Sequence, residues 1–198
     1  VDRKNIQQHN LHLEQSTANS MRQFEKVYHE HIDALHNYGM KFNANRELIE
    51  DCVQDLFADL WEKRNKLDTI VSLRSYLLGA LRRKLLRKIY SDREYVYDAE
   101  EYSGFFEMHL LKNAEAEMAL AEEQLVQINS AFAKLTEKQK EVIYLRFYNQ
   151  LSYKEIAEVM AVQTRTVYKL AYRAIDMLKE QISPYTPALQ ALLYWLIC

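Results

Sequence analysis

The stretch whose reading decides the fold is LTEKQKEVIYLRFYNQLSYKEIAEVMAVQTRTVYKLAYRAIDML, Leu135 to Leu178. Thr136-Glu-Lys-Gln139 and Ser152-Tyr-Lys-Glu155 each fit a capping box, in which a hydroxyl and the side chain three positions later satisfy each other's orphan N–H groups. The two boxes open helices 16 residues apart, and the pattern predicts helices over about 137–147 and 153–160. A third runs from about Thr164 to Gln181 and stops before Pro184. The connection Ala161-Val162-Gln163 has the length expected of a helix-turn-helix. Ile156, Ala157, Met160, Val162, Val167 and Leu170 supply its packing, and the small Ala157 lets the two helices cross closely. The exposed start of the second helix reads Gln163-Thr164-Arg165-Thr166, with Lys169 and Arg173 one and two turns on. Hydroxyls, an amide and arginines suit base edges and phosphates in a major groove. Ser152, Tyr153 and Lys154, at the start of the preceding helix, join them as candidate DNA contacts.

The rest of the chain agrees with an all-α fold. Its 198 residues hold three glycines and two prolines, where average usage would give about 14 and about 10. Hairpins and phosphate-cradling loops need glycine where φ turns positive. Gly39, Gly79 and Gly104 lie too far apart for a GxGxxG motif. Cys52 and Cys198 belong to no CxxC pattern, which points to a reducing cytosol and neither a disulfide framework nor a zinc site. Val1 to Ser20 is polar, so no signal peptide is expected, and the longest apolar run, Ala191 to Cys198, is too short to span a bilayer. The expected setting is cytoplasmic, and no cofactor or metal is expected.

A formal net charge of −2 conceals blocks. Glu47 to Glu62 carries six acids and no base; Leu81 to Arg93 nets +5; Glu94 to Glu123 nets −8; Phe132 to Ser183 nets +3. Two basic modules are thus separated by an acidic tether. The expected organisation is an extension over 1–23, a helical domain over 24–90, an acidic linker over 91–125, a helix-turn-helix domain over 126–183 and an apolar tail over 184–198.

In the front module Phe24, Val27, Tyr28, Ile32 and Leu35 recur at helical spacing up to Tyr38-Gly39. Asn45 is a candidate N-cap for a second helix whose wide apolar stripe contains Leu48, Cys52, Leu56 and Leu60 beside Ile49, Val53 and Phe57. Asp51, Asp55 and Asp59 line the other side, and the helix is expected to end around Lys63-Arg64. Ser72 can cap a third helix, Leu73 to about Ile89, burying Leu77, Leu81, Leu85 and Ile89 while Arg82, Arg83, Lys84 and Arg87 face outward. An acidic face and a basic face can bind two different partners. A carboxylate stripe could also ligate a divalent metal, but the Glu-x-x-His pairs of a di-metal bundle are absent. No two titratable groups have the spacing of a nucleophile and its base, so an enzyme is not expected.

Leu48 to Arg64, followed by SLRSYL (Ser72 to Leu77) and then by Leu135 to Leu178, resembles region 2 and region 4 of the sigma-70 family. With only an acidic linker between them, the pattern is similar to the extracytoplasmic-function (ECF) sigma factors, subunits that direct bacterial RNA polymerase to promoters. The order of both motifs in one chain is more specific than either alone. The resemblance implies that Glu50, Asp51, Gln54, Asp55, Phe57 and Trp61 dock on the clamp helices of the polymerase largest subunit. It implies that Arg74, Tyr76, Arg82, Arg83, Lys84, Arg87 and Lys88 grip the melted minus-ten strand. It also implies that the back module binds the polymerase flap and places Gln163 to Arg173 in the minus-thirty-five major groove. An anti-sigma factor, often membrane-anchored, completes the implied partners. The other reading of the same residues is a stand-alone helix-turn-helix regulator whose front half senses a ligand or dimerises.

The chain departs from the family pattern at three places. Arg82-Arg83 stands where Arg-Asn is usual, Ala161 where a glycine is usual, and Gln163 where a Ser or Thr cap is usual. If φ is positive at Ala161, the methyl group costs about 1 kcal/mol. The tail, with Leu189, Leu192, Leu193, Trp195 and Leu196, lies outside the resemblance and is expected to pack on the body or on a regulatory partner.

Overall fold

The computed structural model describes residues 3–42, 45–64, 70–90 and 129–181, with side chains described for 21–180 within them. The expected linker, the tail and Gly104 lie outside the described residues. Every regular element among the described residues is helical. Helix α1 spans Arg3–Gly39 and is followed by a 3-10 turn, Met40–Phe42. Helices α2 (Arg46–Glu62) and α3 (Leu73–Tyr90) complete the front module; α4 (Glu137–Phe147), α5 (Tyr153–Met160) and α6 (Thr164–Gln181) form the back one. The predicted bounds of α4, α5 and α6 are those observed. Helix α1 runs through the segment expected to be an extension.

Asn45 caps α2 with extended backbone, its side chain accepting a 2.7 Å hydrogen bond from the Leu48 N–H. The helix then buries Ile49, Cys52, Val53, Leu56, Phe57 and Leu60, each contributing about 1.5–3 kcal/mol on leaving water. Phe24 and Tyr28 of α1 meet Phe57 with ring centroids 6.0 and 4.7 Å away. Gly39 ends α1 where α2 comes closest: a Cβ there would lie 2.6 Å from Ile49 Cγ2. At the other end of α2, Arg64 donates to the Trp61 carbonyl and stacks over its indole ring, 4.6 Å from the centroid.

Helix α3 departs from its sequence pattern. Leu77, Leu81 and Leu85 are buried as expected and Ile89 partly so, yet Ser75, Leu78, Gly79, Arg82 and Leu86 are buried as well. A second covered face exists because α5 lies across it, in a contact more extensive than the one α3 makes with α2. Gly79 is the point of closest approach, since an added Cβ would sit 3.3 Å from the Val159 backbone. One apolar core therefore runs through both modules, from Leu35 and Ile49 to Val167 and Ala171.

Candidate nucleic-acid interface

Both capping boxes of the back module form. The Thr136 N–H donates to Gln139 Oε1 at 2.8 Å, and the Ser152 N–H donates to Glu155 Oε2 at 2.8 Å. Burial works against the Glu155 carboxylate, but hydrogen bonds from Ser72 and Ser152 hold its pKa below the ordinary glutamate value. Ala161 adopts φ 55°, ψ 43°, the left-handed conformation its position in the turn requires, and the Val162 N–H reaches back to the Ala157 carbonyl at 3.0 Å. Gln150 does the same after α4, at φ 54°.

This local geometry positions α6. Val167, Ala171, Ala174, Ile175 and Leu178 pack inward. Gln163, Arg165, Thr166, Lys169 and Arg173 are exposed, with Thr164 partly covered. Arg165, Lys169 and Arg173 follow one another at four-residue steps, so successive turns of α6 present cations. At the start of α5, Ser152 and Lys154 are exposed and Tyr153 is half-buried. The structure adds two residues that sequence reasoning missed. Tyr168 and Tyr172 are 43% and 60% exposed, and Tyr168 meets Tyr153 at 4.6 Å. Two tyrosines one helical turn apart on a basic helix were the available signal.

The outward basic face expected of α3 requires correction at Arg82. That side chain is buried, 6% exposed, because helix α4 covers it with the equally buried Glu141. Arg82 Nε donates to Glu141 Oε1 at 2.8 Å and Nη2 to Oε2 at 3.3 Å, while the Tyr38 hydroxyl donates to the same Oε1 at 2.6 Å. Arg74 donates to Asn149 Oδ1 at 3.4 Å. Lys84 is paired with Asp59 at 2.8 Å and Lys88 with Asp55 at 3.4 Å. The Lys84 hydrogen bond keeps the Asp59 carboxyl below its usual pKa. Arg83, Arg87 and Tyr76 stay exposed.

The residues expected to dock on the polymerase divide in the same way. Asp51, Gln54 and Asp55 are exposed, and Glu50 is partly exposed beside Arg46 at 2.6 Å. Phe57 is a core residue, 5% exposed under Phe24 and Tyr28. Trp61 is partly covered by Phe24, 5.0 Å away. A groove of about 730 Å³ opens beside this helix between α1 and α2, lined by Tyr28, Asp33, His36, Arg46, Glu50 and Gln54.

The junction between modules is polar as well as apolar. A groove of about 510 Å³ lies between α3 and α5, bringing Tyr76 and Arg83 of one beside Ser152 and Lys154 of the other. Nε of Arg74 is buried there without a hydrogen-bond partner, at a cost of about 1–3 kcal/mol. Tyr144 stacks on Tyr38 at 6.0 Å and on Tyr148 at 5.1 Å, and burial pushes the Tyr148 phenol up to about 12. Among the described residues no group of three or more His, Cys, Asp or Glu is placed to hold a metal ion, and no helix is long and apolar enough to cross a membrane.

Comparison with known proteins agrees with this architecture. The family described as "Sigma-70 region 2" matches residues 27–94 and that described as "Sigma-70, region 4" matches residues 125–178. Together the two cover more than half of the chain. The ECF RNA polymerase sigma factor RpoE of Cereibacter sphaeroides is 20% identical over 161 residues, which span 81% of this chain and 86% of that protein.

Proposed function

From the chain's membership of the sigma-70 family, as an RNA polymerase sigma factor of ECF type, we propose how its surfaces divide the work of initiation. Factors of this kind are DNA-binding initiation proteins that generally partner with core RNA polymerase, promoter DNA and anti-sigma factors. Helix α6, carrying Gln163, Thr164, Arg165, Thr166, Lys169 and Arg173, enters the major groove of the minus-thirty-five element. Ser152, Tyr153 and Lys154 approach the adjacent phosphates. The observation that carries this reading is the exposed cationic row on the second helix of a helix-turn-helix whose first helix opens on a capping box. A helix of this width fits the major groove, and arginines reach guanine edges or phosphates from it.

Helix α3 and the loop before it hold the unpaired minus-ten strand through Arg83, Arg87, Lys84, Lys88 and Tyr76, with Arg74 and Arg82 added when the back module is elsewhere. The carboxylates Glu50, Asp51 and Asp55, with Gln54, face the basic clamp helices of the polymerase, and the adjacent α1–α2 groove gives a helix room to lie. Phe57 and Trp61 act here from behind, by fixing α2 against α1.

In vitro transcription with core polymerase and a promoter library tests the reading directly. The protein should direct initiation at a subset of promoters, and no transcription above core alone would refute it. Asp51→Lys with Asp55→Lys should abolish binding to core polymerase while the melting temperature stays within a few degrees. Retained binding would remove α2 from the interface.

A further inference from the structure

The groove of about 510 Å³ between α3 and α5 gathers groups that no single contact with DNA would use together. Tyr76, Gly79 and Arg83 line it from α3, at spacings that put them on one face of that helix. Lys154, Glu155 and Glu158 line it from α5. Gly79 leaves the floor open. A Cβ there would lie 3.4 Å from Arg83 Nη1 and 3.3 Å from the Val159 backbone, so the guanidinium folds back along α3 over the position where a side chain is missing.

Both signs of charge are present in this groove, and they do not neutralise each other. Glu155 is committed to hydrogen bonds from Ser152 and Ser72. Arg83, Lys154 and Glu158 are exposed and form no ion pair among the described residues, although they line one cavity. Two cations suit an anion with several oxygens, and a carboxylate suits hydroxyl donors. Tyr76, 36% exposed, and Val71, fully exposed, add apolar surface on which a flat ring can lie. The volume falls within the roughly 300–1,000 Å³ of small-molecule sites, which favour the junction between two domains.

We propose that the groove is a binding site for a ribonucleoside phosphate: Arg83 and Lys154 take the phosphate, Glu158 accepts from the ribose hydroxyls and Tyr76 stacks on the base. A carboxylate on ribose hydroxyls is the arrangement that dinucleotide sites use, and an aromatic face accepts any base. Inorganic phosphate would leave Tyr76 and Glu158 without a role, and a nucleotide of a DNA strand lacks the 2′-hydroxyl. The ligand would touch both modules at once. The site stands on the geometry of the groove and does not depend on the strand-binding role given to α3.

Isothermal titration calorimetry of the full-length protein with ATP and GTP tests it, with their 2′-deoxy counterparts and sodium phosphate as comparisons. At least one ribonucleotide should bind saturably, one per chain. Its deoxy counterpart should bind on the order of tenfold more weakly, the factor that a hydrogen bond to a charged group supplies, and phosphate more weakly still. Tyr76→Ala should cost on the order of tenfold and Tyr76→Phe little. Arg83→Gln with Lys154→Gln should abolish binding. Glu158→Gln should bring the ribo and deoxy compounds to the same affinity while promoter binding by the polymerase complex is unchanged. All four substituted side chains are exposed, and circular dichroism checks that the helix content is kept.

No saturable binding by either ribonucleotide would overturn the site. Phosphate that binds as tightly as the nucleotide would reduce the groove to an anion site, and equal affinity for the deoxy compound would assign it to a DNA strand. Either result overturns the proposal as well. Binding to core polymerase, assayed in parallel, reports separately on the functional reading.

Discussion

Helices α3 and α6 are the two basic helices directed at DNA, both 18 residues long, and the structure treats them in opposite ways. On α6 the cations stand clear of the body: Arg165, Lys169 and Arg173 are exposed and form no ion pair among the described residues. On α3 four of the six, Arg74, Arg82, Lys84 and Lys88, are drawn inward or sideways, to Asn149, Glu141, Asp59 and Asp55. Charge on a helix thus does not by itself define a surface available to a polyanion. What decides it is whether the rest of the fold brings a carboxylate within reach.

The contrast is sharpest in stability. Removing one member of a buried ion pair strands the other, at up to about 3–5 kcal/mol, whereas truncating an exposed side chain changes stability by no more than about 0.5 kcal/mol. Arg82→Ala should therefore lower the melting temperature by on the order of 10 °C, and Arg165→Ala should leave it where it is. Differential scanning calorimetry on the two variants decides the point, and equal melting temperatures would erase the distinction between the helices. Separation of the modules re-exposes Glu141 to water and limits the loss. A value below this range accompanied by an enlarged molecule would then measure the strength of the interface itself.

The same pair of helices differs in what DNA sees. Because α6 is already exposed, Arg165→Ala or Lys169→Ala should weaken promoter binding by the polymerase–sigma complex by about 1–3 kcal/mol at a base-contacting position, without changing the shape of the factor. Footprinting over the minus-thirty-five element reads the loss. Arg83→Ala and Arg87→Ala should instead leave duplex binding intact and slow formation of the melted complex, which permanganate reactivity of unpaired thymines detects. A loss of duplex affinity from the α3 variants equal to that from the α6 variants would show that the division of labour is wrong.

The legibility of the two helices in the sequence follows from where their neighbours lie along the chain. The starts of α4 and α5 and the turn before α6 are set by local contacts: Thr136 with Gln139, Ser152 with Glu155, Ala157 across from Val162. Such contacts fall within one capping box or one turn, so spacing alone reveals them. Helix α3 is shaped by Glu141, 59 residues beyond Arg82, and by Val159, 80 residues beyond Gly79. No local pattern encodes those meetings. The period of Leu77, Leu81 and Leu85 therefore gave one correct face and no hint of the second. Phe57 shows the local case again: its place in the apolar stripe of α2 already put it in the core, where Phe24 and Tyr28 cover it.

The turns offer a smaller test of local reasoning. Ala161 and Gln150 both hold positive φ with a side chain present, at about 1 kcal/mol each relative to glycine. Ala161→Gly and Gln150→Gly should each raise stability by an amount approaching that value, less what a glycine adds to the entropy of the unfolded chain. Chemical denaturation would show it as a shift in midpoint at constant slope.

The smallest expected effect concerns protons, and again it separates the two helices. Asp59 is held below its ordinary pKa by Lys84 of α3, so at neutral pH the carboxylate is ionised in both the folded and unfolded chain and the pair contributes fully. As pH falls through the ordinary aspartate range, the unfolded chain takes up its proton first. The contribution then shrinks, and it is gone once pH has passed below the lowered folded value. The pair is exposed, so its worth is about 0.2–1 kcal/mol and is screened by salt. Glu155, held down by Ser72 and Ser152, adds to the loss with the same sign at the junction of the modules. Lys84→Met should reduce stability slightly at pH 7, and by progressively less as pH falls below the ordinary aspartate range, in low salt. Acid thus loosens the Asp59–Lys84 pair and the Glu155 cap. It leaves the cationic row of α6 as it was, because no carboxylate among the described residues pairs with that row.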